Sequence, residues 1–156
     1  MNTIAVDAMG GDSAPIDIVK GAIKAKEQGV DVVLCGDKNL INPYLENNEI
    51  PVFDFPEVIS MDEDPLRAIR NKKNASIVGC MQLLKDKKVQ AVFSAGSTGA
   101  TLISAISILG KHKGVIRPVI ASVLPSLSGN TILLDSGASL DVKPKVLFQY
   151  LSLIHI

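Results

Sequence analysis

The chain has 156 residues, 16 basic against 16 acidic side chains, and is 47% hydrophobic. That length suits one ordinary domain with a buried core, and the composition excludes a largely disordered chain. Zero net charge leaves no electrostatic footprint for nucleic acid, and 4% aromatic content without Trp argues against stacking platforms.

Cys35 and Cys80 are too few and too far apart in sequence for a disulfide framework or a zinc site, so a reducing cytoplasm is expected. Asp7 and Asp12 interrupt the first apolar stretch, which therefore does not read as a signal peptide. The longest apolar run, residues 100–110, falls short of the ~20 residues a membrane span needs.

In chain order, residues 3–6 read as a strand and 14–27 as a helix, with Ile16, Val19 and Ile23 on one face and Gly29 closing it. A strand over 32–35 follows, ended by a Gly36-Asp37 turn, then a helix over 38–46 and a strand over 52–55. Residues 57–64 carry acidic side chains and end at Pro65, which predicts an exposed loop. Helices are expected at 64–71 and at 75–86, where Ile77, Met81 and Leu84 line one side. A strand at 91–94 leads into a helix at 98–109 that is apolar nearly all round and should be buried on most faces. Strands at 119–123 and 132–134 could form a hairpin through Pro125 and a Gly129-Asn130 turn. The alternation of strand and helix indicates an α/β class with a mostly parallel sheet.

Two segments place glycines directly between a strand and a helix: IAVDAMGGDSAP at 4–15 and FSAGSTGA at 93–100. Such turns lie at the carboxyl ends of parallel strands, where open α/β sheets bind ligands. Glycine permits close backbone approach, and the following helix adds unpaired N–H groups, which together suit an anion such as phosphate. Ser94, Ser97 and Thr98 offer hydroxyl donors. The plainer alternative is that the glycines only turn the chain and that Ser97 or Thr98 only caps a helix. Neither segment is a Walker A loop or a dinucleotide fingerprint.

A third segment, LLDSGAS at 133–139, places Asp135 at the end of what should be a buried strand, followed by Gly137; binding and plain turning are both open to it. Arg67, Arg70, Lys72 and Lys73 form a basic cluster, either a solvated helix face or a clamp for phosphate or an acidic partner. His112 sits in a polar loop and should be exposed, while Cys35 and Cys80 read as small buried hydrophobes. No HExxH, CxxC or GxSxG pattern supports metal hydrolysis or a serine triad.

With those loops identified, IAVDAMGGDSAP, DPLRAIRNKKNASIVGCM, FSAGSTGA, KGVIRPVIASVLPSLSG and ILLDSGASLDVKP resemble, in this order, the signature segments of the PlsX phosphate acyltransferases. They touch most of positions 1–149; Ser97, Ser136 and Ser139 stand where the family usually shows Asn, Val and Asn. The resemblance implies a three-layer α/β/α sandwich like that of isocitrate and isopropylmalate dehydrogenases. It also implies a cytoplasmic homodimer, with some relatives meeting the membrane surface, that moves an acyl chain from acyl carrier protein to inorganic phosphate. The acyl phosphate would feed the membrane glycerol-3-phosphate acyltransferase of phospholipid synthesis. No cofactor or metal is implied.

Phosphate is already an anionic nucleophile, so the chemistry asks for positioning and charge stabilisation rather than an activated side chain. The residues expected to act in the reaction are Asp7, Asp12, Ser97, Thr98 and Asp135. Those expected to hold phosphate or substrate are Met9, Gly10, Gly11, Ser94, Gly96, Gly99, Gly137, Arg67, Arg70, Lys72 and Lys73. Rival readings are a phosphotransacetylase-like or isopropylmalate-dehydrogenase-like enzyme, or an inactive anion-binding fragment. Family members run to about twice this length, so residues 1–150 read as the amino-terminal portion of the catalytic domain. Residues 151–156 do not continue the pattern and match a reading frame of a sequencing-library adapter, so His155 is given no function.

Overall fold

Short β-branched segments separated by amphipathic stretches fold as parallel strands joined by crossover helices. The computed structural model of the chain describes residues 2–127, 129–135 and 141–154. They fall into two units, Met1–Leu109 and Gly110–Ile156.

The first unit runs β1 (Ile4–Asp7), α1 (Ile16–Glu27), β2 (Val32–Gly36), α2 (Lys38–Ile41), β3 (Val52–Asp54), α3 (Pro65–Asn71), α4 (Ser76–Lys85), β4 (Ala91–Ser94) and α5 (Thr98–Ile108). Its sheet has the order β3-β2-β1-β4 and is parallel throughout. Because side chains alternate along a strand, each face has its own core. Val6, Val32 and Leu34 pack with Val19 and Ala22 of α1 and Ile41 of α2. On the opposite face Ala5, Val33 and Cys35 meet Cys80 and Leu83 of α4. Helices thus cover both faces of this sheet, and the mostly parallel α/β class expected from the sequence is the one observed.

Local differences have local causes. The buried side of α1 is centred on Val19 and Ala22, and Ile16 stays 38% exposed. The expected helix at 38–46 stops at Ile41 and continues as a 3-10 turn, Asn42–Tyr44. Pro43 lacks an N–H and its ring clashes with the preceding turn, so the α-helical ladder cannot continue. The helix expected to be buried on most faces is not: in α5 only Ala100 and Ser104 are fully buried. One side of α5 brings Ile103, Ala105 and Ile108 against Ile69, Ile77 and Met81, while Ser107 and Leu109 remain exposed. Apolar composition does not tell how many faces find a partner.

The second unit holds a separate antiparallel pair, β5 (Ala121–Ser126) and β6 (Gly129–Leu134), and α6 (Pro144–Leu153). The expected hairpin pairing forms, with its turn shifted: Pro125 pairs with Asn130 and Ser126 with Gly129. The expectation of a buried strand before Asp135 fails, since β6 is exposed along most of its length. Gln149 of α6 ties down residues 114–117, its Oε1 accepting from Ile116 N at 2.7 Å and its Nε2 donating to Gly114 O at 2.8 Å. No helix among the described residues is long and apolar enough to cross a membrane.

Candidate anion-binding site

Parallel pairing sets Asp7 at the end of β1 directly beside Ser94 at the end of β4. Asp7 is buried at 3% exposure, and both carboxylate oxygens are engaged. Oδ2 accepts from the Ser94 hydroxyl at 2.7 Å and Oδ1 from the Met9 N–H at 3.3 Å. Ser94 Oγ in turn accepts from Gly96 N at 3.1 Å. A chain of hydrogen bonds therefore knits the two glycine loops together.

The glycines are dictated by crowding. A Cβ on Gly10 would stand 2.5 Å from Asp7 Oδ2, and one on Gly96 would stand 3.0 Å from the Gly10 Cα. Gly11 has φ +116, a region that residues with a side chain rarely adopt. At Gly99 a Cβ would lie 2.8 Å from Pro65 Cγ, so the start of α3 rests directly on the start of α5.

Ser97 caps α5, accepting from Ala100 N at 3.3 Å, and Thr101 Oγ1 donates to Ser97 O at 3.1 Å. The Ser97 hydroxyl proton remains available to donate. Thr98 and Gly99, the first two residues of α5, donate no backbone hydrogen bond to the described residues, nor does Gly11. These orphan N–H groups, at the positive end of the helix, can receive an anion. A tight crevice of about 10 Å³ lies next to Ser97, bordered by Asp7, Gly10, Ser94, Gly96 and Ser97 on the polar side and by Met9, Ile59, Ile77 and Ala100 on the apolar side.

The first two glycine loops thus converge. Ser94, however, is not a free hydroxyl donor: its hydrogen is directed at Asp7, and its oxygen takes the Gly96 N–H. Asp12 is exposed on the first loop. The basic cluster divides. Arg67 and Arg70 are exposed, with no side-chain hydrogen bond to described residues, whereas Lys73 Nζ donates to Ile69 O at 3.2 Å. Lys72 pairs with Glu63 at 2.5 Å. That ammonium, with the Ser60 N–H and hydroxyl, holds the Glu63 carboxyl down at about 2.

Asp135 belongs to the second unit, in a left-handed conformation at φ +57, its N–H bonded to Ile120 O at 2.9 Å. Gly137 lies outside the described residues. His112 is exposed as expected. Cys35 and Cys80 are both fully buried, and contact with Cys35 together with burial pushes the Cys80 thiol well above its usual range. No group of three or more metal-ligating side chains occurs among the described residues.

Sequence reasoning missed the apolar wall. Ile59 follows Val58 in a short loop that is otherwise largely acidic, and only its company in the fold gives it meaning. Ser76, Ile77 and Thr101 also line the crevice, and their helical positions read simply as core or cap.

Comparison with known proteins agrees with these loops. A family model described as "Fatty acid synthesis protein" matches residues 2–154. The curated relatives include the phosphate acyltransferase of Desulforamulus reducens, 48% identical over an alignment of 155 residues that covers 96% of this chain and 46% of that protein. That of Gloeothece citriformis is 49% identical over an alignment of 154 residues that covers 94% of this chain and 44% of the relative. The chain spans about half the length of the curated relatives it matches. Among solved structures it is similar to Acinetobacter baumannii MurG, 21% identical with a TM-score of 0.44 over 70% of this chain and 32% of that one.

Proposed function

The chain belongs to the fatty acid synthesis protein family, whose curated relatives are phosphate acyltransferases, and we propose that it carries the phosphate-binding part of such an enzyme. The observation that carries this reading is the convergence of two glycine loops beside the unsatisfied N–H groups of Thr98 and Gly99. The reaction would transfer an acyl chain from acyl carrier protein to inorganic phosphate. A phosphate oxygen attacks the thioester carbonyl carbon, the C–S bond breaks, and the carrier thiolate leaves and takes up a proton. The products are acyl phosphate and the free carrier thiol.

The residues divide by role. Gly11, Thr98 and Gly99 donate backbone N–H groups to the phosphate, and the Ser97 and Thr98 hydroxyls complete the cradle. Asp7 acts through Ser94 and Met9 as a positioning residue. A buried carboxylate in direct contact with a phosphate anion would repel it, and Asp7 instead holds both loops in register. Exposed Arg67 and Arg70 suit the acidic carrier protein. Asp12, exposed on the first loop, is a further contributor from that loop. The N–H groups at the start of α5 would face the developing oxyanion.

We further propose an isocitrate-dehydrogenase-like α/β/α sandwich that works as a cytoplasmic homodimer, with access to the membrane surface and a product passed to the membrane acyltransferase. We assign residues 1–150 to the amino-terminal portion of that catalytic domain, and 151–156 to a non-native tail. On its own this portion should bind phosphate without turnover, since crevices in such sheets draw loops from several strands.

A chimera joining this chain to the second half of the Desulforamulus reducens relative tests the reading. It should form acyl phosphate from acyl-acyl carrier protein and phosphate, trapped by hydroxylamine as the hydroxamate, with EDTA present. A soluble chimera that gives no hydroxamate, or one that strictly requires a metal, would sink the reading.

A further inference from the structure

We propose that Lys72 is a positioning residue whose ammonium clasps residues 57–64 so that Ile59 walls the crevice beside Ser97 and Pro65 rests against the start of α5; this deepens, and rests on, the phosphate reading. The strap leaves β3 and reaches α3 without regular structure of its own, yet it is fixed at both ends. At the first end Glu57 is sewn to the chain before α4: its N–H donates to Asn74 O at 3.2 Å, its carbonyl accepts from Ser76 N at 3.1 Å, and its Oε2 accepts from Asn74 N at 2.7 Å. At the second, Lys72 Nζ donates to Val58 O at 2.7 Å and to Glu63 Oε1 at 2.5 Å. The Ser60 N–H and hydroxyl converge on that same oxygen at 2.9 and 2.8 Å.

Ile59 lies between the two backbone positions thus held, Val58 and Ser60. It packs with Ile69, Ile77 and Met81 and lines the crevice beside Gly96 and Ser97. Pro65, two residues before Arg67, meets Gly99 at the anion-facing end of α5. A lysine reserved for phosphate would not sit 2.5 Å from a carboxylate that neutralises it. Here the cation is used to place hydrocarbon. An apolar wall beside orphan N–H groups excludes water and strengthens their hydrogen bonds to an anion, so phosphate affinity depends on the strap although Lys72 touches no phosphate.

The experiment uses the chain with Lys72→Met and Lys72→Arg, and reads two quantities. Amide exchange without phosphate reports the strap, and NMR titration with inorganic phosphate reports the Thr98 and Gly99 amides. Lys72→Met should speed exchange of residues 58–63 and weaken phosphate binding, each about three- to tenfold, with the β1 and β2 amides unchanged. Lys72→Arg, which keeps a cation within reach of Glu63, should restore most of both. Glu63→Gln removes the same clasp from the other side and should resemble Lys72→Met. Strap exchange in Lys72→Met equal to that of the unmodified chain overturns the clasp. Thr98 and Gly99 amides that ignore phosphate in the unmodified chain instead overturn the phosphate reading, so the two failures are separable.

Discussion

The two units have similar apolar strands and very different burial. In the first, every residue of β2 is buried, and Leu34 and Cys35 are fully inaccessible. In the second, Val123 is 64% exposed and Ile132 47%, although both strands also carry β-branched and aliphatic residues. A strand's sequence states what it can pack against, and only neighbouring elements decide whether it does. The first unit sandwiches its sheet between α1 and α4, so stability and site geometry reside there.

Core truncation should separate the units most clearly. Leu34→Ala removes a fully buried side chain and should cost about 2–5 kcal/mol in a urea melt. Ile132→Ala, at a half-exposed position, should stay within about 0.5–1 kcal/mol. Equal losses would mean that β5 and β6 are as well covered in solution as β2, and the contrast would fall.

A glycine substitution carries the contrast to the site. Gly10→Ala places a methyl 2.5 Å from Asp7 Oδ2 and must displace Asp7 or Ser94. Phosphate affinity should fall about tenfold or more, the scale of one lost hydrogen bond to a charged group. Gly110→Ala meets open space at φ +84 and should cost about 1 kcal/mol of stability at most, with phosphate binding unchanged. NMR titration of the Thr98 amide in both variants decides it; similar affinities would show that the Asp7–Ser94 tie does not shape the crevice.

Much of this was legible in the sequence because periodicity and punctuation are local. Gly29, Gly36 and Pro65 marked real boundaries, whereas the expected Ile77, Met81 and Leu84 side of α4 is split: Ile77 and Met81 pack with Ile69, and Leu84 is only partly buried beside Cys80 and Leu83, which meet the sheet. The two loops were readable from glycines that crowding demands. What the sequence hid was pairwise. Nothing in DPLRAIRNKK tells that Lys72 turns to Glu63 while Arg67 and Arg70 face solvent, and nothing around Ser94 tells that its hydroxyl serves Asp7. Such choices depend on distances between segments far apart in the chain.

Thiol labelling sharpens the same contrast by a smaller effect. Cys35 and Cys80 are both fully buried, and the Cys80 thiol is pushed upward by contact with Cys35 and by burial. At pH 8 neither should react with a water-soluble disulfide reagent until the first unit opens, so labelling should track global unfolding. Fast labelling in native buffer, at rates insensitive to urea, would mean that the α4 face opens independently.

The smallest expected effect is the acid response of the strap. Glu63 is held at about 2 against an ordinary 4.5, because Lys72 and then Ser60 stabilise its charged form. A carboxyl lowered on folding contributes stability that is fully present above its unfolded value and is lost as pH falls from there toward its folded value. The Ser60 amide, which donates to Glu63, should therefore hold its chemical shift from pH 7 down to about 4.5 and move with a midpoint near 2. Glu63 is one third exposed, so salt weakens the pairing, and the midpoint should rise toward 4.5 at ionic strengths of about 1 M. Glu63→Gln abolishes the transition. A Ser60 midpoint already near 4.5 at low salt would mean that the Lys72–Glu63 contact does not persist in solution, and the strap would then join the loosely held second unit rather than the ordered first.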